Sequence, residues 1–127
     1  MEMARKHALR LGNVSRKGES RINEACKKIY ENIKNPPEVQ DLAAECCLSK
    51  SRFIHLFKEV TDRSYTDFII ALRIEKAKEL LLGTGMSVRE IAESVGFENQ
   101  NYFSRCFRKK EGVSPREYKR LENEERK

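Results

Sequence analysis

The chain has 127 residues, and its 26 basic and 20 acidic residues give a net charge of +6. This length holds one ordinary domain or two very small ones, and no apolar run is long enough to span a bilayer or to form a signal-peptide core near Met1. We therefore expect a cytoplasmic protein with no membrane partner. Residues 1–18 alone carry five basic groups and one acid, so a nucleic-acid surface elsewhere has to arise from local clustering of charge.

The first third of the chain predicts a basic arm followed by two helices. Residues 1–19 show no apolar periodicity, and we interpret them as a flexible arm or interdomain linker. Ser20 is suited to cap a helix. Pro36 and Pro37 end this helix and precede a short one that runs to about Cys46. The apolar face of the first helix consists of Ile22, Ala25, Cys26, Ile29 and Ile33.

The remainder predicts five more helices, and hence an all-α fold of seven. Ser49 can cap the third helix, and "SYTD" starts a long helix over residues 65–82 that the "GTG" at 83–85 ends. "SVRE" at 87–90 has the spacing of a capping box, and "SPRE" at 114–117 repeats it with proline at the first helical position.

An internal repeat divides this layout. Residues 20–64 and 83–121 each predict a short helix, a tight turn and a longer helix, with 65–82 as a linker helix and 122–127 as a charged tail. Such self-similarity indicates one supersecondary unit used twice. The matching residues lie 49 or 50 positions apart: Val39, Leu42, Ala43, Phe53, Phe57, Ser64 and Phe68 with Val88, Ile91, Ala92, Phe103, Phe107, Ser114 and Tyr118.

Helix, turn, helix is the arrangement that places a second helix in the major groove of DNA. Gly96 supplies the conformational freedom that such a turn often needs, whereas Cys47 stands at the matching place in the first copy. The pattern therefore predicts two helix-turn-helix subdomains.

The outward faces of the two longer helices carry side chains suited to DNA recognition. Arginine can bind guanine bidentately, asparagine or glutamine can pair with adenine, and an aliphatic group can meet the methyl of thymine. Lysine and arginine farther along a helix suit phosphate contacts. A helical period places Ser51, His55 and Lys58 outward in the first copy, with Arg52 and Ile54 on the two flanks. In the second copy it places Asn101, Arg105 and Arg108 outward, flanked by Tyr102 and Ser104.

Two other classes of function are weighed against DNA binding. The same fold can serve as a helical protein-interaction module, since any amphipathic helix has a polar face. An enzyme would need a cluster of reactive groups, and the sequence shows no such constellation beyond Cys46, Cys47 or His55 taken singly. The four cysteines have no CxxC spacing, so we expect buried or half-buried thiols in a reducing compartment, with no metal and no cofactor.

The segments "IAESVGFENQNYFSRCFRKKEGVSPREYKR" (91–120) and "LAAECCLSKSRFIHLFKEVTDRSYTDFIIALRIEKAKELL" (42–81) resemble the DNA-binding region of AraC/XylS-type bacterial transcription regulators. This resemblance covers roughly residues 20–121. It implies two recognition helices that enter successive major-groove segments of double-stranded DNA, more often in an activator.

The resemblance also assigns roles. It implies base reading by Ser51, Arg52, Ile54 and His55 in the first helix, and by Gln100, Asn101, Ser104 and Arg105 in the second. It further implies contact with RNA polymerase and, in many members, an N-terminal sensor or receiver domain, which is not visible in this sequence. The chain is then either a small stand-alone regulator or the C-terminal fragment of a larger one, and the linker-like residues 1–19 favour the fragment. We expect backbone contacts from Ser49, Lys50, Lys58, Arg108 and Lys109.

Overall fold

The computed structural model describes residues 16–125, and these residues form seven α-helices joined by short turns. No strand occurs in this part of the chain, so the all-α prediction is confirmed. None of the described helices is both long enough and apolar enough to cross a membrane. In chain order they are α1 (Arg16–Glu31), α2 (Val39–Glu45), α3 (Lys50–Thr61), α4 (Tyr65–Gly83), α5 (Val88–Val95), α6 (Gln100–Glu111) and α7 (Pro115–Glu125).

The chain divides into two compact units, and the division falls inside α4, between Ile69 and Ile70. The linker helix predicted at 65–82 is therefore shared. Its first turns bury Phe68 with the first unit, and its later turns bury Ile74 and Leu81 with the second.

The first unit packs α1 and α2 against α3. Its fully buried side chains include Ile22 and Ile29 of α1, Leu42 of α2, and Phe53 and Phe57 of α3. Burial of each such side chain stabilises the fold by about 1.5–3 kcal/mol. The apolar faces predicted from helical periodicity are therefore the faces that form this core.

Aromatic rings close the core of the first unit around Phe57. The Phe57 ring meets those of Phe68 and Tyr65 edge-on, with centroids 5.2 Å and 5.7 Å apart. The Tyr65 hydroxyl donates a hydrogen bond to the carbonyl oxygen of Pro37. This contact ties the start of α4 to the loop before α2.

The second unit packs α5, α6 and α7 with the later turns of α4. Phe103 and Phe107 of α6 are fully buried, and the Phe107 ring meets Tyr118 of α7 edge-on at 5.5 Å. The Phe107–Tyr118 pair matches the Phe57–Phe68 pair of the first unit, so the repeat seen in the sequence extends to its aromatic contacts.

The turn of each copy depends on a residue with positive φ. Cys47 has φ 58° and stands two residues after the end of α2, and Gly96 has φ 103° and directly follows α5. The longer helices likewise end on left-handed residues, Asp62 with φ 62° and Gly112 with φ 81°. Cys47 and Gly96 lie 49 residues apart, and Asp62 and Gly112 lie 50 residues apart. These are the spacings of the repeat, so the two copies share their turn geometry.

Both ends of the described chain differ from the sequence prediction. The first helix begins at Arg16, and Ser20, the expected cap, lies inside it. Residues 16–19 contain no proline, and Glu19 in the first turn suits the positive end of the helix dipole. Most of the predicted arm, residues 1–15, lies outside the described residues. Helix α7 continues through Glu125, helped by an Arg120–Glu124 ion pair of 3.1 Å, so most of the predicted tail is helical.

Candidate nucleic-acid interface

Helix α3 is the second helix of the first copy, and its start is fixed by the preceding serine. The Ser49 hydroxyl oxygen accepts a hydrogen bond of 3.1 Å from the backbone N–H of Arg52. This cap satisfies one of the N–H groups that a helix start leaves unpaired. The Ser49 hydroxyl hydrogen stays available for a second partner.

The residues predicted to face DNA from α3 are all exposed. The exposed set includes Ile54, an apolar side chain with 44% of its surface accessible. Opposite them, Phe53, Phe57 and Val60 are buried. The exposed residues are Ser49, Lys50, Ser51, Arg52, Ile54, His55 and Lys58.

His55 has a partner that the sequence analysis did not identify. Its Nε2 lies 2.8 Å from Oε1 of Glu59, one turn farther along α3. A carboxylate only accepts hydrogen bonds, so the hydrogen of this contact is on Nε2. The Nδ1 atom of His55 is then the ring atom left for an outside partner. The i,i+4 spacing of the two residues was the available signal.

Helix α6 is the second helix of the other copy, and Asn99 caps it. The Asn99 Oδ1 atom accepts a 2.8 Å hydrogen bond from the backbone N–H of Tyr102. The preceding short helix, α5, has the predicted capping box. There Ser87 Oγ accepts from the N–H of Glu90, and the Glu90 carboxylate accepts from the N–H of Ser87.

The residues predicted to face DNA from α6 are less uniformly exposed. Gln100, at the first position of the helix, and Ser104 are half-buried. The others, Asn101, Arg105, Arg108 and Lys109, are exposed. All eight side chains that are predicted to read bases are therefore at least partly accessible. Their base-reading roles stay predictions.

The exposed Arg105 lies on an aromatic support that the sequence analysis missed. Its guanidinium carbon is 5.9 Å from the centroid of the Tyr102 ring, one turn earlier in α6. The Tyr102 ring meets Phe97 of the preceding turn at 5.6 Å in an edge-on arrangement. Phe97 is buried, and the Arg73 guanidinium covers its ring at 5.6 Å.

Positive charge predominates on both helices. Along α3, Lys50, Arg52 and Lys58 outnumber the single acid, Glu59. The last turn of α6 contains Arg108, Lys109 and Lys110, where basic groups also suit the negative end of the helix dipole. Clustering of basic side chains on α3 and α6 therefore gives these helices the positive surface that the modest net charge of the chain alone does not provide.

The one acid of α6, Glu111, is paired within the second unit. The Lys78 Nζ atom lies 3.2 Å from Oε1 of Glu111 and 3.2 Å from Oε1 of Glu75. Burial lowers the pKa of Lys78, but its hydrogen bonds with Glu111 and Glu75 outweigh this effect and raise the pKa above the usual value. Lys78 therefore links α4 to the end of α6 as a cation.

The cysteines differ in burial, and one expectation about them was wrong. Burial raises the pKa of Cys26 to about 12 and also raises the pKa of Cys46, so neither thiol favours the reactive thiolate. Cys106 is half-buried. Cys47 is exposed, contrary to the expectation, because it stands in the turn after α2 and not on the apolar face of a helix.

Comparison with known proteins identifies the class to which this fold belongs. Residues 42–121 match a family model described as a helix-turn-helix domain. The resemblance to AraC/XylS-type regulators is confirmed, and the chain belongs to this family.

Among curated relatives, the arabinose operon regulatory proteins of Escherichia coli K12 and Salmonella typhimurium LT2 are each 36% identical to the chain over 102 residues. These matches cover 80% of this chain but only 35% and 36% of the relatives. The chain thus spans about a third of the length of these relatives.

Two solved structures show the same architecture. The C-terminal domain of AraT, a response regulator from Geobacillus stearothermophilus, is 32% identical, with a TM-score of 0.72 over 80% of this chain and 84% of that one. The DNA-binding domain of the transcriptional factor AdpA, solved in complex with a target DNA, is 27% identical. Its TM-score is 0.76 over 83% of this chain and 95% of that one.

Proposed function

We propose that this chain is the sequence-specific, double-stranded DNA-binding part of a bacterial transcription regulator that acts in the cytoplasm. Helices α3 and α6 are the recognition helices and enter successive major-groove segments. The observation that carries the proposal is that both copies present, from a capped helix start, an exposed face of hydrogen-bonding and basic side chains opposite a buried aromatic face. Membership of the AraC-type family supports the same conclusion.

Base reading falls to the side chains at the start and middle of each helix. Arg52 and Arg105 suit the paired acceptors of guanine, Gln100 and Asn101 suit adenine, and the exposed Ile54 suits the methyl of thymine. Ser51 and Ser104 can donate or accept at several base edges.

His55 reads a base through Nδ1, because Glu59 occupies Nε2. A neutral ring then presents Nδ1 as an acceptor, which suits the amino group of cytosine or adenine. Donation to guanine requires the doubly protonated ring.

Backbone contacts position the two helices. Ser49 can donate its hydroxyl hydrogen to a phosphate while its oxygen caps α3, and Lys50, Lys58, Arg108 and Lys109 provide charge. Such contacts add affinity without sequence preference and make binding sensitive to salt.

The wider role of the protein is part of the same proposal. In this proposal the chain is part of an activator that contacts RNA polymerase and that works with an N-terminal sensor or receiver domain. The chain spans about a third of the curated relatives, which leaves room in them for such a domain. The proposal gives no catalytic role to the cysteines or to His55.

A fluorescence titration of the chain against random genomic fragments, at low and moderate salt, tests this function. We expect binding that weakens with salt by a slope of about −0.9 per phosphate contact in a logarithmic plot. Absence of binding even at low salt would contradict the proposal and would favour a protein-interaction module with the same fold.

A further inference from the structure

Tyr102 occupies a place on α6 from which it can act on base recognition through a neighbour. It lies in the first turn of the helix, where its backbone N–H is held by the Asn99 cap. Tyr102 as a whole residue is 39% exposed, unlike the fully buried Phe103 beside it. The residue is therefore neither a core aromatic nor a freely solvated one.

The Tyr102 ring is fixed from two sides. Phe97, buried in the core of the second unit, meets it edge-on with centroids 5.6 Å apart. A hydrogen bond with the Cys106 thiol, one turn along the helix, raises the pKa of the Tyr102 hydroxyl. A ring held in this way forms a fixed surface next to solvent.

Arg105 lies on that surface. Its guanidinium carbon is 5.9 Å from the ring centroid, within the range of a cation–π contact. The arginine side chain has many rotamers, and binding through it is weakened when this freedom is lost in the complex. A guanidinium already held over a ring gives up less freedom on binding, and its planar fork of donors loses little entropy for each hydrogen bond that it forms.

We infer that Tyr102 is a positioning residue for base recognition: it holds the Arg105 guanidinium in the orientation that binds guanine bidentately. The inference rests on the proposed DNA-binding function and names a specificity determinant of that same site. It assigns Tyr102 no contact of its own with a base.

The first copy contains a different arrangement at the matching positions. Arg52 stands where α6 has Tyr102, and His55 stands where α6 has Arg105. There the outward side chain is held by the carboxylate of Glu59 and not by a ring. The aromatic support is thus particular to α6, and its loss is expected to affect only the base pairs that α6 reads.

The test uses the full chain and duplexes that it selects from a randomised library. Tyr102→Leu removes the ring face, and Tyr102→Phe keeps it while removing the hydroxyl; Tyr102→Met replaces the leucine variant if that variant does not fold. We expect Tyr102→Leu to weaken binding to the selected duplex about two- to fivefold, the size of an exposed cation–π contact, with random duplexes little affected. We expect Tyr102→Phe, which keeps the ring and loses only the bond with Cys106, to weaken the selected duplex less than Tyr102→Leu does.

Two further measurements separate positioning from a purely structural role. In an Arg105→Ala background, Tyr102→Leu should have no further effect on the selected duplex. In the free protein, the ring-current shift of the Arg105 side-chain protons in the nuclear magnetic resonance spectrum should vanish in Tyr102→Leu and persist in Tyr102→Phe. Tyr30→Leu serves as the matched control, because it removes a tyrosine of α1 that is 65% exposed. It should change neither the affinity for the selected duplex nor the ring-current shift of the Arg105 protons.

The possible failures can be told apart. If the unaltered chain selects no duplex, the proposed function fails, and this inference fails with it. If the unaltered chain selects a duplex but the ring-current shift of the Arg105 protons is unchanged in Tyr102→Leu, the inference about Tyr102 is overturned and the proposed function stands. The inference would also be overturned if Tyr102→Leu weakened binding to selected and random duplexes equally. The same holds if Tyr102→Leu still weakened binding to the selected duplex in the Arg105→Ala background.

Discussion

Cys47 and Gly96 play the same part in the two copies of the repeat. Each has positive φ, 58° and 103°, and each is followed by a residue whose N–H bonds back to the short helix. Leu48 donates to the carbonyl of Ala43 and Phe97 to that of Ala92, both at 2.9 Å. The cysteine therefore adopts a backbone conformation that its copy requires and that glycine adopts more easily.

Replacement of Cys47 by glycine should stabilise the first unit. A left-handed conformation costs a residue with a Cβ atom about 1–2 kcal/mol, and the greater freedom of glycine in the unfolded chain cancels about 0.4–1 kcal/mol of the gain. We expect a net increase of about 0.5–1 kcal/mol in the free energy of unfolding, measured by urea denaturation and circular dichroism. Gly96→Ala is the opposite control and, with the same two contributions reversed, should lose about 0.5–1 kcal/mol. A Cys47→Gly variant less stable than the unaltered chain would refute this reading of the turn.

Removal of the Lys78 charge should destabilise the second unit. Lys78→Met loses the contacts with Glu75 and Glu111, and we expect a loss of about 1 kcal/mol, since the group is still partly in contact with solvent. Lys76→Met is a matched control, because Lys76 forms an exposed 3.5 Å pair with Glu79 on the same helix. Its effect should stay below about 0.3 kcal/mol. Equal losses in the two variants would show that Lys78 does not link α4 to α6.

The capping box of α5 should make stability depend on pH. The bond donated by the backbone N–H of Ser87 lowers the pKa of Glu90 below its ordinary value of 4.5. A carboxyl group with a lowered folded-state pKa stabilises the fold above its unfolded-state pKa, and this contribution is lost as the pH falls through the folded-state value.

Glu90→Gln provides the comparison, because glutamine can still accept the bond but does not titrate in this range. We expect the unaltered chain to have the higher melting temperature near neutral pH and to lose this advantage as the pH falls below 4.5. A difference that stays constant across this range would mean that the Glu90 charge does not contribute.

Arg105 and Arg108 should differ in what they do for DNA binding. Arg105→Ala should weaken binding to a selected duplex by about 1–3 kcal/mol and relax the preference at one base pair. Arg108→Ala should weaken selected and random duplexes alike and reduce the salt slope by about one. Titrations on both duplexes at several salt concentrations measure this contrast, and a uniform loss in the Arg105 variant would count against its base-reading role.

The sequence predicts the helices and their buried faces because both follow from local periodicity. Phe53, Phe57, Phe103 and Phe107 recur at helical spacing and all are fully buried. The start of α1 was predicted wrongly at Ser20, because this serine resembles a helix cap. Residues 16–19 can also adopt a helix, and the helix begins there. Cys47 could be recognised as an awkward turn residue, but its exposure depends on where α2 ends.

The contacts that orient the outward side chains were harder to foresee. His55 and Glu59 have a spacing that suggests a pair, yet so do many residues on an exposed helix. The support of Arg105 depends on Phe97 from another segment, and no periodicity within α6 reports that contact. The Asn99 cap, in contrast, has a local signal, since asparagine before a helix is a common cap.

Selection of duplexes from a randomised library measures whether α3 and α6 each read DNA sequence. For the unaltered chain, we expect two separate blocks of enriched base pairs. His55→Ala should blur one block and Arg105→Ala the other. A library that shows no enrichment after repeated selection, or a single block that neither variant alters, would show that α3 and α6 do not read DNA sequence as proposed.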